Sequence, residues 1–250
     1  MPLAPVRFGY RLRGKQGKII RSLGMAIVRG KYKSGTLLPT EAQLLKRFGV
    51  SRTSLREAIK VLSAKGLLES IQKLGTRVRV EDHWDMLDPD VFSWHDLSWA
   101  NEALLHDLIE ARLAIEPSSA SLAATTGTVS DHRQIARAAA AMLAAVHDPE
   151  KYTHADAIFH YAVFSASHNR FLFRFYEIMS KFLEASFSLQ QQFSARTAED
   201  FKRDYEDHAS VLRAIENRDG AEAERAMRHV ILTGKAALER ALEAGIAKGR

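Results

Sequence analysis

The spacing of apolar residues between Leu38 and Leu68 predicts two short helices that meet at a tight turn. Apolar side chains recur there three and four residues apart, which is the repeat of one buried helix face. Thr40 and Ser51 stand where N-capping hydroxyl groups are expected, and Gly49 suits the left-handed residue that closes a helix. This stretch is therefore predicted to be a helical hairpin with an apolar inner side.

The outer side of the second predicted helix carries Arg52, Thr53 and Arg56. A basic face that also bears a hydroxyl group suits the major groove of DNA, because arginine can form two hydrogen bonds with a guanine edge. An ordinary amphipathic hairpin with a solvated charged face is the alternative explanation of this pattern.

Two short apolar runs follow the hairpin and predict a basic two-stranded wing. They flank the turn that contains Lys73, Gly75 and Thr76. Helix, turn, helix and wing together predict a winged helix-turn-helix domain over residues 16–80. Residues 1–15 are basic and are predicted to form a flexible arm.

The rest of the chain is predicted to be a linker followed by an all-helical domain. Residues 81–100 are acidic and aromatic, and we expect Trp84 and Trp94 to anchor this linker on the second domain. Within residues 101–250 the apolar spacing predicts six helices, at about 101–125, 131–147, 150–167, 170–193, 197–217 and 219–247. The predicted fold class is therefore mainly α, with an N-terminal winged helix-turn-helix domain and a C-terminal all-α antiparallel helical bundle.

The charge of the chain is divided unevenly. Residues 1–80 contain 18 lysines and arginines against three acidic residues, whereas the remainder contains 18 against 27. Basic charge concentrated in one domain is typical of nucleic-acid binding. The chain has no cysteine and no apolar run long enough to cross a membrane, so we expect a cytoplasmic protein with no membrane partner.

Four side chains of the second domain are candidate metal ligands. Asp156 and His160 lie four residues apart, so a helix presents both on one face. His208 and His229 each lie among apolar residues and are expected to face inward. The alternative is that each imidazole bonds only to a neighbouring helix. Together the four predict a divalent metal site, for which zinc is the first expectation and nickel, iron and manganese are alternatives.

Arg112 is predicted to point towards the core of the same domain. It is either a salt-bridge partner of a nearby acid such as Glu116, or a clamp for a ligand carboxylate. No nucleophile motif, phosphate-binding glycine loop or nucleotide fingerprint is present, so an enzyme is not predicted. A metal-dependent enzyme acting on a small organic acid and a constitutive architectural DNA-binding protein remain as alternatives.

Several motifs resemble one family of regulators. The stretch LPTEAQLLKRFGVSRTSLREAIKVLSAKGLL resembles the DNA-binding signature of GntR-type bacterial transcription regulators. The second domain is similar to the ligand-binding FCD domain of their FadR subfamily. The motifs that carry this second similarity are LIEARLAIEPSSASLAA, DAIFHYAVFSASHN, DHASVLRAI and GAEAERAMRHV. The resemblance extends from about Gln16 to Ala247.

The resemblance implies a metabolite-responsive repressor that binds a palindromic operator as a homodimer. It implies that Asp156, His160, His208 and His229 hold the metal and that Arg112 and Asn169 hold a small carboxylate effector. The predicted DNA-binding residues are Thr40, Ser51, Arg52, Thr53, Arg56, Lys73, Gly75 and Thr76.

Two details refine this resemblance. The segment HWDMLDPDVFSW is similar to that of regulators responding to sugar acids, which suggests a sugar-acid effector. Ala42 departs from the family pattern, which usually has arginine there, so a DNA contact at that position is lost or replaced.

Overall fold

The computed structural model describes residues 14–95, 102–176, 180, 183, 186 and 196–248. The chain divides between Asp96 and Leu97 into two compact units. The basic arm predicted for residues 1–15 lies almost wholly outside the described residues.

The first unit is a winged helix-turn-helix, as predicted. Its elements are α1 (Gly14–Val28), α2 (Glu41–Phe48), α3 (Arg52–Ala64), β1 (Leu68–Ile71) and β2 (Gly75–Val78). The two strands pair antiparallel, with Leu68 opposite Val78 and Ile71 opposite Gly75. A single bridge between Leu37 and Arg77 adds the chain before α2 to the edge of this sheet.

Local capping sets the ends of the helical hairpin. Thr40 and Gln43 form a reciprocal capping box at the start of α2, and Gly49 ends it with a φ of 61°. The Ser51 hydroxyl accepts a hydrogen bond from the Ser54 amide at the start of α3. Behind these caps the apolar faces of α1, α2 and α3 are buried together, which confirms the predicted inner side of the hairpin.

The segment after the wing folds back on the first unit, so the prediction that Trp84 and Trp94 anchor on the second domain is wrong. Both tryptophans are buried in the core of the first unit. The segment contains a short 3-10 helix, Glu81–His83, and α4, Pro89–Trp94. Sequence pattern could not show this, because an acidic aromatic segment is equally able to pack on either neighbour.

Two glycines and one buried lysine hold this segment in place. A Cβ on Gly24 would stand 2.3 Å from Trp94 Cζ3, and a Cβ on Gly66 would stand 2.0 Å from the His83 carbonyl oxygen. Lys65 Nζ lies 2.6 Å from Asp88 Oδ2 and forms a second ion pair with Asp90. Close backbone packing at Gly24 and Gly66 and the ion pairs of Lys65 therefore both hold the segment after the wing against the first unit.

The second unit is a helical bundle, and its described helices agree with the predicted ones to within a few residues. They are α5 (Glu102–Thr126), α6 (Val129–Ala144), α7 (Pro149–Ala166), α8 (residues 170–176), α9 (Ala198–Glu216) and α10 (Gly220–Lys248). The part of the helix predicted at 170–193 that follows residue 176 lies mostly outside the described residues. Among the described residues, no helix combines the length and apolar content needed to cross a membrane.

The core of the bundle is formed where α5, α7, α9 and α10 face one another. Ile109, Phe159, Val211 and Ile215 are among its buried side chains. Buried charged side chains from α5, α7 and α9 lie within this same apolar core. A charged side chain in an apolar core needs hydrogen-bond or ion-pair partners, so these side chains are candidates for a functional site.

Replacing Trp94 by alanine should destabilise the first unit by about 3–5 kcal/mol, because the ring fills the space that Gly24 leaves open. Hydrogen–deuterium exchange should then show faster exchange of the amides of α1. Leu87→Ala is the matched control, because that side chain is 60% exposed and its loss should change stability little. Unchanged exchange in α1 of the Trp94 variant would show that the tryptophan does not support this core.

Candidate functional site

The first candidate site is the outward face of α3. Arg52, Thr53 and Arg56 are all exposed there, and the two arginine side chains are 78% and 66% exposed. Both guanidinium groups lie near Glu41 at the start of α2, at 3.8 and 3.5 Å. Exposed ion pairs of this length contribute little free energy, so a polyanion can replace Glu41 at small cost.

The wing and the helix starts complete this surface. Lys73, Leu74 and Gly75 form the exposed tip, with φ values of 67° at Lys73 and 116° at Gly75. Thr76 lies on β2 opposite Ser70. The hydroxyl groups of Thr40 and Ser51 cap α2 and α3, which places both residues at helix N-termini, where backbone amides favour an anion. Ala42 is exposed and offers no polar side chain.

The second candidate site is a buried cluster of three potential metal ligands in the bundle. Asp156 and His160 come from α7 and His208 comes from α9, and one ligand atom of each lies within 4.8 Å of the others. His208 Nε2 is 3.1 Å from Asp156 Oδ1 and 3.4 Å from His160 Nε2. His160 Nε2 is 3.8 Å from Asp156 Oδ1. The structure thus brings together three of the four predicted ligands.

These three residues fit a divalent metal ion. Ligand atoms about 2.1 Å from a tetrahedral zinc ion lie roughly 3.4 Å from one another, which matches the spacing found here. Asp156 Oδ2 is buried and has no hydrogen-bond partner among the described residues. Two imidazole nitrogens and one carboxylate oxygen that face a common point are also a donor set that zinc accepts.

The outer nitrogens of both histidines face acceptors, which leaves Nε2 of each ring for the common point. His208 Nδ1 donates a hydrogen bond to the Asp204 carbonyl oxygen, at 2.7 Å. His160 Nδ1 lies 2.8 Å from Glu116 Oε2, an ion-pair distance without the alignment of a hydrogen bond. Such outer partners orient metal-binding histidines and select their tautomer.

Arg112 pairs with Glu116 one turn away on α5, so the salt bridge considered from the sequence is present. Arg112 Nε lies 2.5 Å from Glu116 Oε1, and both side chains are almost fully buried. Burial alone would raise the pKa of Glu116, but the Arg112 guanidinium and His160 lower it to about 2. Glu116 is therefore an anion that holds two potentially cationic side chains.

The charge balance of the cluster favours a cation at its centre. Burial would lower the pKa of His208, but Asp204 and Asp156 raise it to about 9. Asp204 also accepts a hydrogen bond from the Tyr152 hydroxyl group, at 2.7 Å. At neutral pH a protonated His208 thus supplies the positive charge between the two aspartates, which is a charge that a metal ion can supply instead.

A small cavity lies beside this cluster. Its volume is about 30 Å³, and its walls include Arg112, Asp156, His160 and His208. The chemistry available there is coordination of a metal ion beside an arginine. That combination suits an anion, because both groups attract negative charge.

His229 does not face this cavity, and the prediction that it points inward is wrong. Its side chain is 67% exposed, and its Nε2 lies 3.4 Å from Asp207 Oδ1. Val230 and Gly234 of the same helix line the cavity instead, and one residue along a helix turns the side chain by about 100°. His229 as a fourth metal ligand stays a prediction.

Asn169 lies outside the described lining of the cavity and caps α8. Its Oδ1 accepts hydrogen bonds from the amides of Phe171 and Leu172, at 3.0 and 3.2 Å. Its role in effector binding stays a prediction.

Sequence reasoning missed Glu116 and Asp204 as partners of the histidines. Glu116 follows Arg112 by four residues, and Asp204 precedes His208 by four. This spacing was a signal for both, because it places each acid on the same helix face as its neighbour. That Glu116 also reaches His160 on another helix could not be read from spacing.

The chain matches two family descriptions. Residues 15–78 match the bacterial regulatory proteins of the gntR family, and residues 107–233 match the FCD domain. The chain is 33% identical over 216 residues to the galactonate operon transcriptional repressor of Escherichia coli (strain K12), covering 85% of this chain and 91% of that protein. It is 32% identical over 227 residues to the Glc operon transcriptional activator of the same strain, covering 87% of this chain and 86% of that protein.

Two solved structures share the fold. Escherichia coli McbR/YncC gives a TM-score of 0.53 at 16% identity, covering 91% of this chain and 98% of that chain. Lar, which controls the expression of the Listeria monocytogenes agr system, gives a TM-score of 0.58 at 16% identity, covering 94% and 99%. At this identity the likeness concerns the fold alone.

Replacing Glu116 by glutamine should destabilise the second unit by about 3–5 kcal/mol, because it breaks the buried ion pair between Arg112 and Glu116. The measurement is denaturant unfolding at pH 7 in the presence of a chelator. Glu110→Gln, on the exposed side of the same helix, should leave stability nearly unchanged. Equal stability of the two variants would contradict this account of Glu116.

The same pair predicts a pH dependence. The folded pKa of Glu116, about 2, lies below its ordinary value of 4.5, so its contribution is present above pH 4.5 and is lost as the pH falls towards 2. The contribution is roughly 3 kcal/mol. Acid unfolding of the Glu116→Gln variant should show a correspondingly shallower loss of stability over this range than the parent protein.

Proposed function

The chain belongs to the gntR family of bacterial regulatory proteins, with an FCD domain as its second unit, and we propose that it is a ligand-responsive transcriptional repressor whose ligand is a small carboxylate. Its relatives are transcription regulators rather than enzymes. The observation that carries the proposal is the buried cluster of Asp156, His160 and His208 beside Arg112, in a chain that also has a winged helix-turn-helix.

The exposed face of α3 supports the DNA-reading part of the proposal. Arg52 and Arg56 reach base edges or phosphates in the major groove, while Lys73 at the tip of the wing contacts the neighbouring backbone. The capping residues Thr40 and Ser51 hold helix N-termini towards phosphates. Because an operator lies with the chromosome, this partner also implies a cytoplasmic location.

The protein acts as a homodimer in this proposal. A single winged domain reads one short half-site, and two copies related by a two-fold axis read a palindrome. Doubling the interface raises affinity and specificity without any new type of contact.

The metal ion is held by Asp156, His160 and His208, with His229 as a proposed fourth ligand, and zinc is the first expectation. When bound, the ion supplies a positive charge and open coordination positions for an oxygen ligand. Arg112 provides a second positive charge in the same cavity, and Glu116 orients both Arg112 and His160. These features favour a carboxylate as the effector.

A ligand of this kind changes transcription only as far as it binds two states of the dimer with different affinity. As a repressor, the protein binds its operator without the acid and is released by it. The likeness to the galactonate operon repressor, together with the linker motif, supports a sugar acid as the effector class. The Glc operon activator is almost as similar, so activation is the alternative outcome.

Replacing Arg52 or Arg56 by alanine should weaken binding to a DNA site selected from a random library by about 1–3 kcal/mol each, with relaxed preference at the contacted bases. Titration of the selected site and of a scrambled site by fluorescence anisotropy measures both effects. Arg133→Ala removes the same charge from an exposed position of the second unit and should leave affinity unchanged. Parent-like affinity and preference in both α3 variants would refute α3 as the reading helix.

Replacing His208 by alanine should abolish stoichiometric zinc binding, because it removes one of three converging ligands. Elemental analysis of the purified variant measures the zinc content. A circular dichroism spectrum with the helix content of the parent protein shows that the helical second unit is folded, and binding to non-specific DNA should be retained. His154→Ala, which removes an exposed histidine of α7 outside the described ligand cluster, is the control and should leave zinc content unchanged.

His229→Ala decides the size of the ligand set. A four-ligand site predicts zinc affinity weakened by a factor of about 10–100 or more, the scale on which even outer partners of metal ligands act. Unchanged affinity would reduce the set to the three residues that the cluster contains.

A further inference from the structure

A glycine stands in the middle of α10 without a packing reason among the described residues. Gly234 lies well inside this helix, which runs from Gly220 to Lys248. A Cβ built on it meets no heavy atom of the described residues within 4 Å, so these residues leave room for a side chain there. Glycine inside a helix is destabilising relative to alanine. The presence of glycine at position 234 therefore needs a reason other than helix stability.

Gly234 lies where two cavities meet. One is the small cavity beside the metal-type cluster, with a volume of about 30 Å³. The other is a groove of about 570 Å³ between the first half of α9 and the middle of α10. Both are lined by Arg196, Asp204 and Gly234. The missing side chain therefore leaves open space at the junction of the two.

The volumes limit what each cavity can hold. A cavity needs a volume of roughly 10–15 Å³ to hold one water-sized group, so the inner cavity has room for about two such groups. That is enough for the metal ion and a carboxylate oxygen beside Arg112, and too little for the rest of a sugar acid. The groove is large enough for the remainder of a ligand that passes Gly234.

The walls of the groove suit a hydroxylated ligand rather than an alkyl chain. They carry Thr233, Lys202 and Arg203, besides several acidic side chains. Hydroxyl groups leaving water need both donors and acceptors, and these walls offer both. Arg196 at the junction is largely buried and lies within 3.6 Å of Asp204, so the passage itself is polar.

We propose that the groove between α9 and α10 is the outer part of the effector site and that Gly234 keeps the passage to the metal cavity open for a polyhydroxylated carboxylic acid. The carboxylate lies in the inner cavity and the hydroxylated chain extends past Gly234 into the groove. This proposal rests on the proposed function, since it takes the metal and Arg112 as the carboxylate site. It adds the groove as the place of the hydroxylated chain and Gly234 as the residue that admits it.

The test is calorimetric titration of the zinc-loaded full chain with D-gluconate and with acetate. Gly234→Leu places a side chain in the passage, so gluconate affinity should fall roughly ten-fold to a hundred-fold, the scale on which pockets discriminate by size. Acetate affinity should stay unchanged, because acetate is too short to extend past Gly234. Gly234→Ala should give a smaller loss for gluconate and protects the test if the leucine variant folds poorly.

Ala221→Leu is the matched control, because it adds the same kind of side chain at an exposed position of the same helix. Hexanoate, which has the chain length of gluconate without its hydroxyl groups, should bind the parent protein more weakly than gluconate. Equal binding of hexanoate would overturn the polyhydroxylated class.

The remaining outcomes separate the two proposals. If Gly234→Leu binds gluconate as tightly as the parent protein does, Gly234 does not control the passage. The same holds if this variant keeps its zinc but loses affinity for acetate as well as for gluconate. Neither result would affect the carboxylate site of the parent protein. Failure of the zinc-loaded parent to bind either acid would instead overturn the carboxylate site itself, and the passage with it.

Discussion

The second unit depends on the carboxylate of Glu116, which is buried between Arg112 and His160. Removing a charge from water is costly, and it is tolerated only where opposite charges and hydrogen bonds replace the solvent. Glu116 satisfies this condition by facing a guanidinium on its own helix and an imidazole on α7. Because the Glu116 carboxylate faces both the Arg112 guanidinium and the His160 imidazole, it fixes α5 against α7. In this arrangement His160 is turned towards Asp156 and His208.

The rest of the cluster follows from the same constraint. His208 stands between Asp156 and Asp204, and Asp204 is held in turn by the Tyr152 hydroxyl group. Each acidic group thus orients a neighbouring side chain. The Nε2 atoms of His160 and His208 remain, and they converge near Asp156. Preorganisation of this kind is what a metal site requires, since a loosely held imidazole must be ordered when the ion binds. The apolar core around the cluster lowers the local dielectric constant and so strengthens these interactions.

The first unit depends on close approach rather than on buried charge. Gly24 and Gly66 allow Trp94 and the His83 backbone to lie against α1 and the end of α3. Lys65 adds ion pairs with the segment before α4, and its pKa is raised by Asp88 and Asp90 despite the opposing effect of burial. The segment that leaves the winged domain is therefore part of that domain up to Trp94, which leaves α3 supported on its inner side and its basic face exposed.

The amino-acid sequence by itself determined the helices, the wing and the separation of charge. These features depend on interactions within a few residues: the caps Thr40 and Ser51, the left-handed Gly49, and the repeat of apolar residues on each helix. Only the tertiary structure decided that Trp84 and Trp94 pack on the first unit, that His229 faces the groove, and that Glu116 reaches His160. The physical reason is that helical periodicity defines an apolar face only to within about one residue, or 100° of rotation. Which neighbour a side chain meets across the core depends on the packing of whole helices, and no local pattern carries that information.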